Sequence, residues 1–152
     1  MTSETPVAAT IHQRIEALKS DFQKDPDWEA RYKRVIEIGK ALPPLSEKYR
    51  NEQFLVKGCQ SQVWLHAEIG KDGLMKLVGD SDAVIVRGLV ACLIRVYSES
   101  TPTEVLSVTP QFLKDLGFES HLSPSRANGL NSMVKQIYLY ATAFKALAAA
   151  KY

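Results

Sequence analysis

The chain has 152 residues, 45% hydrophobic and 24% charged, with a formal net charge of +2 at pH 7. That length suits one domain with its own core, read here as residues 1–152. A charge so small and evenly spread argues against a nucleic-acid footprint.

The N-terminal lead around Glu4 is short and polar, with no basic segment followed by an apolar one. No secretory signal is expected there. Ile11, Ile15, Leu18 and Phe22 then recur at the spacing of one helix face. Asp25 offers an N-cap, with Pro26 at the first helical position, for a helix carrying Trp28, Tyr32, Val35, Ile36, Gly39 and Leu42. Pro43-Pro44 stops it, because proline lacks an N–H and restricts the residue before it. Residues 45–57 mix charges without a period and are expected to be loop.

From Val63 the period becomes two. Val63, Leu65, Ala67 and Ile69 alternate with Trp64, His66 and Glu68, as in a half-buried strand. Gly70-Lys71-Asp72-Gly73 is a turn, and residues 74–79 return as the partner strand. Asp80-Ser81-Asp82 supplies N-cap chemistry for a helix over residues 83–97. That helix is apolar on nearly every side, so it should be the central buried one. Its most apolar run, residues 88–94, stops at Arg87 and Arg95 and is too short to cross a bilayer. Thr101-Pro102-Thr103-Glu104 fits a capping box with proline at the first position. Thr109-Pro110 opens a short helix closed by Gly117, and Ser123-Pro124 opens a last one through Met133, Ile137, Tyr140 and Phe144.

Chemistry-bearing groups are few. The chain has no glycine-rich phosphate loop and no serine-centred nucleophile elbow. His12, His66 and His121 are scattered and the two cysteines lie far apart, so no metal site is expected. The remaining candidate is Val56-Lys57-Gly58-Cys59-Gln60-Ser61-Gln62-Val63-Trp64. A turn centred between Lys71 and Asp72 pairs Val63 near Asp80, which sets Cys59 beside the start of the helix near Ala83. A helix N-terminus favours a thiolate, while Asp80 and Asp82 oppose one, so the sign of the shift stays open.

Gly58, Gln60 and Ser61 are read as supporting the loop, and Asp80, Asp82 and Arg126 as loop or partner contacts. Arg126 is placed to hold Asp80, Asp82 or a partner's anion, or is simply solvated. On these residues alone Cys59 is either a reactive thiol in polar company or an inert buried spacer. Cys92, inside Leu89-Val90-Ala91-Cys92-Leu93-Ile94, reads as inert core. Trp28 and Trp64 read as core or a partner-facing ledge, and His66 as exposed or locally hydrogen-bonded. Two cysteines make no disulfide framework and suit a reducing compartment, so the cytoplasm is the expected location.

Together, in order and spacing, several motifs resemble the SufE family of sulfur-acceptor proteins over roughly residues 28–143. They are Val56-x-Gly58-Cys59-x-Ser61-x-Val63-Trp64, Gly79-Asp80-Ser81-Asp82-Ala83 with Arg87-Gly88-Leu89, and Thr101-Pro102-x-Glu104. Leu122-Ser123-Pro124-Ser125-Arg126-x-Asn128-Gly129-Leu130 completes the set. The resemblance implies an α+β fold, a small antiparallel sheet packed by helices, similar to that of the U-type cluster scaffolds. It implies that Cys59 accepts persulfide sulfur from a cysteine desulfurase of the SufS type, or of the related CsdA type, and stimulates that enzyme. It implies delivery to a scaffold complex containing SufB for iron–sulfur cluster assembly. The activity so implied is sulfurtransferase-like, exerted only together with the desulfurase.

No cofactor of its own is implied, because pyridoxal phosphate belongs to the desulfurase. No nucleic acid or membrane partner is expected, and the chain should be a monomer or weak homodimer. Lacking the three cysteines of the scaffolds, it should not assemble a cluster itself. One departure is Glu99-Ser100, where a glycine often precedes the Thr-Pro.

Three other classes compete. A cysteine hydrolase needs His66 or His121 near Cys59. A dithiol sensor needs Cys92 close to it. A non-catalytic adaptor would activate a CsdA-type desulfurase for another sulfur-transfer pathway and needs no reactive Cys59.

Overall fold

The computed structural model describes residues 10–150, so the polar lead around Glu4 lies outside the described residues. Helix α1 (Ile11–Gln23) opens on a capping box: Thr10 Oγ1 accepts the Gln13 N–H at 3.1 Å and Gln13 Oε1 accepts the Thr10 N–H at 2.8 Å. Helix α2 (Trp28–Lys40) starts later than Asp25-Pro26 suggests. Asp27 is its cap, accepting the Ala30 N–H at 2.9 Å. Asp25 instead takes both Arg34 nitrogens, at 2.7 and 3.0 Å, and two charge-assisted bonds outweigh one cap. Residues 45–57 are not featureless loop; they hold two 3-10 turns, Glu47–Tyr49 and Glu52–Phe54.

Strand β1 (Val63–Ile69) pairs antiparallel with β2 (Met75–Ser81), setting Val63 opposite Ser81. This register is one residue beyond the expected pairing with Asp80. The turn centres on Asp72, whose Oδ1 accepts the Leu74 N–H at 3.0 Å while the Gly70 N–H bonds Leu74 O at 2.9 Å. Val63, Leu65 and Ala67 on one strand, with Met75 and Leu77 on the other, are buried.

Helix α3 (Val84–Tyr97) packs against α1, α2, β2 and the last helix, and ten of its 14 residues are buried. The expected side-chain cap is missing: Ala83 holds the cap position, and Asp80-Ser81 belongs to β2. A missing cap costs about 1 kcal/mol. Burial of each large aliphatic side chain contributes roughly 1.5–3 kcal/mol, so the core easily offsets it.

Helix α4 (Pro102–Ser107) has the expected Thr101–Glu104 capping box, at 3.0 and 3.1 Å. Short helices α5 (Gln111–Asp115) and α6 (Phe118–His121) follow, then α7 (Pro124–Ala150). Buried side chains from Ile11 to Ala141 join in one cluster, and the fold is α+β, a two-stranded antiparallel sheet packed by helices. No helix among the described residues is long and apolar enough to cross a membrane.

Glu99, at the departure from the family pattern, has a left-handed φ of 65°. The bend lets Glu99 N–H bond Met75 O at 2.8 Å and Ser100 O accept the Met75 N–H at 2.8 Å. The glutamate side chain meets Lys76 at 2.7 Å.

The backbones of α2 and α3 touch. A Cβ at Gly88 would lie 2.2 Å from Val35 O, and one at Gly39 would lie 2.8 Å from Gly88 Cα. Backbone atoms cannot step aside, so Gly88→Ala should cost about 1–3 kcal/mol in urea denaturation, or more where the helices must separate. An unchanged midpoint would contradict this close crossing.

Candidate functional site

The end of the hairpin holds both arms of the segment that carries Cys59. Upstream, Leu55 bridges Trp64 and the Val56 N–H bonds Val63 O at 2.8 Å. Downstream, the Gln62 N–H donates to Asp82 Oδ1 at 3.0 Å, and Gln62 O accepts the Ser81 hydroxyl at 2.7 Å and the Asp82 N–H at 3.3 Å. Asp82 is therefore a loop contact. Asp80 is 2% exposed: its carboxylate meets Arg50, lies 3.4 Å from Arg87 Nε and accepts the Ser81 N–H at 2.7 Å. Arg50 also lies over the Trp64 ring, 5.1 Å from its centroid. So Asp80 steadies the upstream arm through Arg50 and offers no surface to a partner, contrary to one of its expected roles.

Between the arms the chain turns at Gly58, whose φ is 91° and where a Cβ would lie 2.6 Å from Ser132 Oγ on α7. The positive φ favours glycine there, and a Cβ would also force the Ser132 hydroxyl to rotate away. The turn lays Cys59 on α7, and its thiol donates to the Gly129 carbonyl at 3.5 Å. This corrects the expected placement beside the start of α3. Val86, in the first turn of α3, does line the cleft over Cys59, but Ser123, Ser125, Arg126, Gly129 and Met133 of the α7 side form most of it. Gln60 and Ser61 line it from the loop, and its volume is about 210 Å³.

Cys59 is half-buried, and this burial pushes its thiol pKa above the ordinary value. Desolvation thus decides the sign that the sequence leaves open. Cys92 is fully buried on α3, and its thiol is pushed up to about 12. Thiol-bearing residues of one chain thus divide into an accessible one and a sealed one.

A family model described as "SufE: Fe-S metabolism associated domain" matches residues 16–141. The chain belongs to the SufE family. That membership associates it with iron–sulfur metabolism, and the Cys59 loop and its cleft lie inside the matched segment. A solution structure of a hypothetical protein from Thermus thermophilus matches with a TM-score of 0.73 at 22% identity. The match covers 88% of this chain and 96% of that one, and it shows a shared fold.

The other predicted residues of this SufE-family chain sort by contact. Arg126 lines the cleft, exposed, and meets neither Asp80 nor Asp82, which Arg50, Arg87 and Gln62 already engage. No histidine among the described residues lines the cleft. His66 bonds Glu68 at 3.1 Å and stacks on Tyr49 with centroids 4.2 Å apart. His121 stacks on Trp28 at 4.6 Å. Trp64 is buried and Trp28 packs on the core. A hydrolase base and a Cys59–Cys92 dithiol both lack support in this arrangement.

The α7 wall of the cleft is the part that sequence reasoning left out. Residues Arg126, Gly129 and Met133 follow helical spacing and share one face. Nothing in that periodicity says that this face meets Cys59, which lies 70 positions from Gly129.

Two outcomes follow for solution chemistry. Iodoacetamide should label Cys59 and spare Cys92 in the folded protein. The Cys59 rate should go on rising beyond the pH at which an exposed thiol levels off, because only the thiolate reacts and burial raises the pH at which it forms. A plateau at the ordinary pH would remove burial as the controlling factor. Gly58→Ala should destabilise the fold by about 1–2 kcal/mol, speed amide exchange over residues 57–61 and move that plateau back down. Unaltered exchange would show that the turn tolerates a side chain.

Proposed function

We propose that this protein is a sulfur carrier: Cys59 takes sulfane sulfur from a cysteine desulfurase and hands it on for iron–sulfur cluster assembly. The observation that carries the reading is the accessible Cys59, on a loop turned by Gly58 and open to a cleft large enough for an added sulfur atom. Family membership supports the iron–sulfur setting. The donor enzyme is of the SufS type or the related CsdA type and brings its own pyridoxal phosphate. The acceptor is a scaffold complex containing SufB.

Transfer needs a thiolate, access to the outer sulfur and a good leaving thiolate. Cys59 loses its proton to solvent, and its thiolate attacks the outer sulfur of the desulfurase cysteine persulfide. One S–S bond forms and one breaks, the desulfurase cysteine leaves as a thiolate, and Cys59 carries the persulfide. The same exchange, with Cys59 as the leaving group, unloads it. At rest the thiol is held protonated against Gly129 O, which keeps it slow towards stray electrophiles. Drawing the loop off α7 restores solvation and removes the burial that disfavours the thiolate. The arms at Val56 and Gln62 are fixed, so the motion is confined to the residues between them.

The decisive comparison is mass spectrometry after incubation with desulfurase and cysteine. Wild type and Cys92→Ser should gain a sulfur atom of about 32 Da, mapped to Cys59, while Cys59→Ser gains none. Desulfurase turnover should rise with the wild type and not with Cys59→Ser. Full stimulation by Cys59→Ser would favour the adaptor reading, and equal sulfur uptake by both variants would sink the carrier.

A further inference from the structure

A second hollow lies on the other side of the Cys59 loop, along α7. Its volume is about 410 Å³, and Phe54, Leu65, Leu139 and Tyr140 give it an apolar floor with Lys57 and Lys135 on its walls. Leu139 is 54% exposed, on the face of α7 turned away from the buried Ile137 and Ala141. No carboxylate lines this groove among the described residues. Several other lysines are paired within the chain: Lys19 meets Asp115 at 3.3 Å, Lys40 meets Glu37 at 3.0 Å and Lys76 meets Glu99 at 2.7 Å, while Lys48, Lys71 and Lys145 lie away from this groove. Lys57 and Lys135 are exposed and have no ion pair among the described residues.

We propose that this groove docks an acidic segment of the cysteine desulfurase, an apolar side chain on Leu139 and Tyr140 with carboxylates reaching Lys57 and Lys135. The assignment rests on the carrier reading above and adds the surface and its chemistry. An apolar centre with unpaired charges of one sign at its edge is the pattern of an interface that selects its partner electrostatically. Its place adds a second reason. Ser132, which lines the groove, lies under Gly58, and Lys57 is two residues from Cys59. A segment seated here grips the loop at its turn and brings the donor next to the thiol. Rim charges act mainly on association and its salt dependence, so binding and chemistry should separate cleanly.

The test uses the full chain and the desulfurase, with affinity measured by calorimetry and sulfur transfer by mass spectrometry. The double variant K57E/K135E should weaken binding about tenfold or more, while K57R/K135R stays within about twofold of the wild type. Raising the salt should weaken wild-type binding and change the double variant far less. Circular dichroism should be unaltered in K57E/K135E, and K135E alone, which leaves the Cys59 loop intact, should keep the wild-type Cys59 alkylation rate while weakening binding.

Wild-type affinity and salt dependence in K57E/K135E would overturn the groove while leaving the carrier reading intact. A wild-type chain that takes up no sulfur would overturn the carrier reading and the groove with it. Loss of self-association in K57E/K135E, with desulfurase affinity unchanged, would give the groove to a second copy of this chain and overturn the assignment too.

Discussion

The pairing of Val63 with Ser81 governs the rest of the site, because it brings three consecutive residues of one strand end against both arms of the Cys59 loop. Ser81 and Asp82 hold Gln62 downstream, and Asp80 holds Arg50 upstream. A slip of one residue would turn every side chain of β2 to the opposite face. Asp80 would then leave the arginines for the core, where an unpaired carboxylate is costly. Hydrophobic alternation therefore sets the register, and the buried charge cluster penalises any other. The loop inherits a fixed base.

On that base the thiol is treated in a way opposite to many reactive cysteines. Burial raises its pKa. The proposed carrier role gives a reason for this balance. A thiolate held ready in solvent would react with any oxidant or disulfide, whereas a protonated thiol on a carbonyl waits for a partner that changes its surroundings. The group transferred also needs little machinery. Thiol–persulfide exchange requires no general base and no oxyanion site, which agrees with a cleft lined by serines, one arginine and small apolar groups. On the proposed reading, function resides in presentation, and the surface around the loop matters as much as the sulfur atom.

The segment before the loop shows how a stretch without periodicity becomes ordered. Tyr49 stacks on His66, Phe54 meets the same ring edge-on at 5.1 Å, and Tyr49 donates to Glu68 at 2.9 Å. With Arg50 on Trp64, these contacts cover the outer face of the two-stranded sheet. Glu99 tells a related story at the other end of the hairpin. Its left-handed backbone is what a glycine would supply freely, and here two backbone bonds to Met75 and a lysine contact hold a glutamate in that place.

Sequence by itself determined the elements and the candidate atom. Period-two alternation from Val63 specified the hairpin, the apolar run of residues 88–94 and its flanking aliphatic residues specified the buried helix, and Thr101-Pro102-x-Glu104 specified a helix start. These are local signals, carried by spacing and by the capping chemistry of neighbouring residues. The same local logic misplaced the cap of α2, because the bond from Asp25 to Arg34 depends on where the arginine returns. Only the tertiary structure decided that Cys59 rests on Gly129, that Asp80 is buried and Arg126 is not, and that burial raises the pKa of the thiol. Contacts between residues far apart along the chain follow from how the elements pack, and desolvation exists only once they have packed.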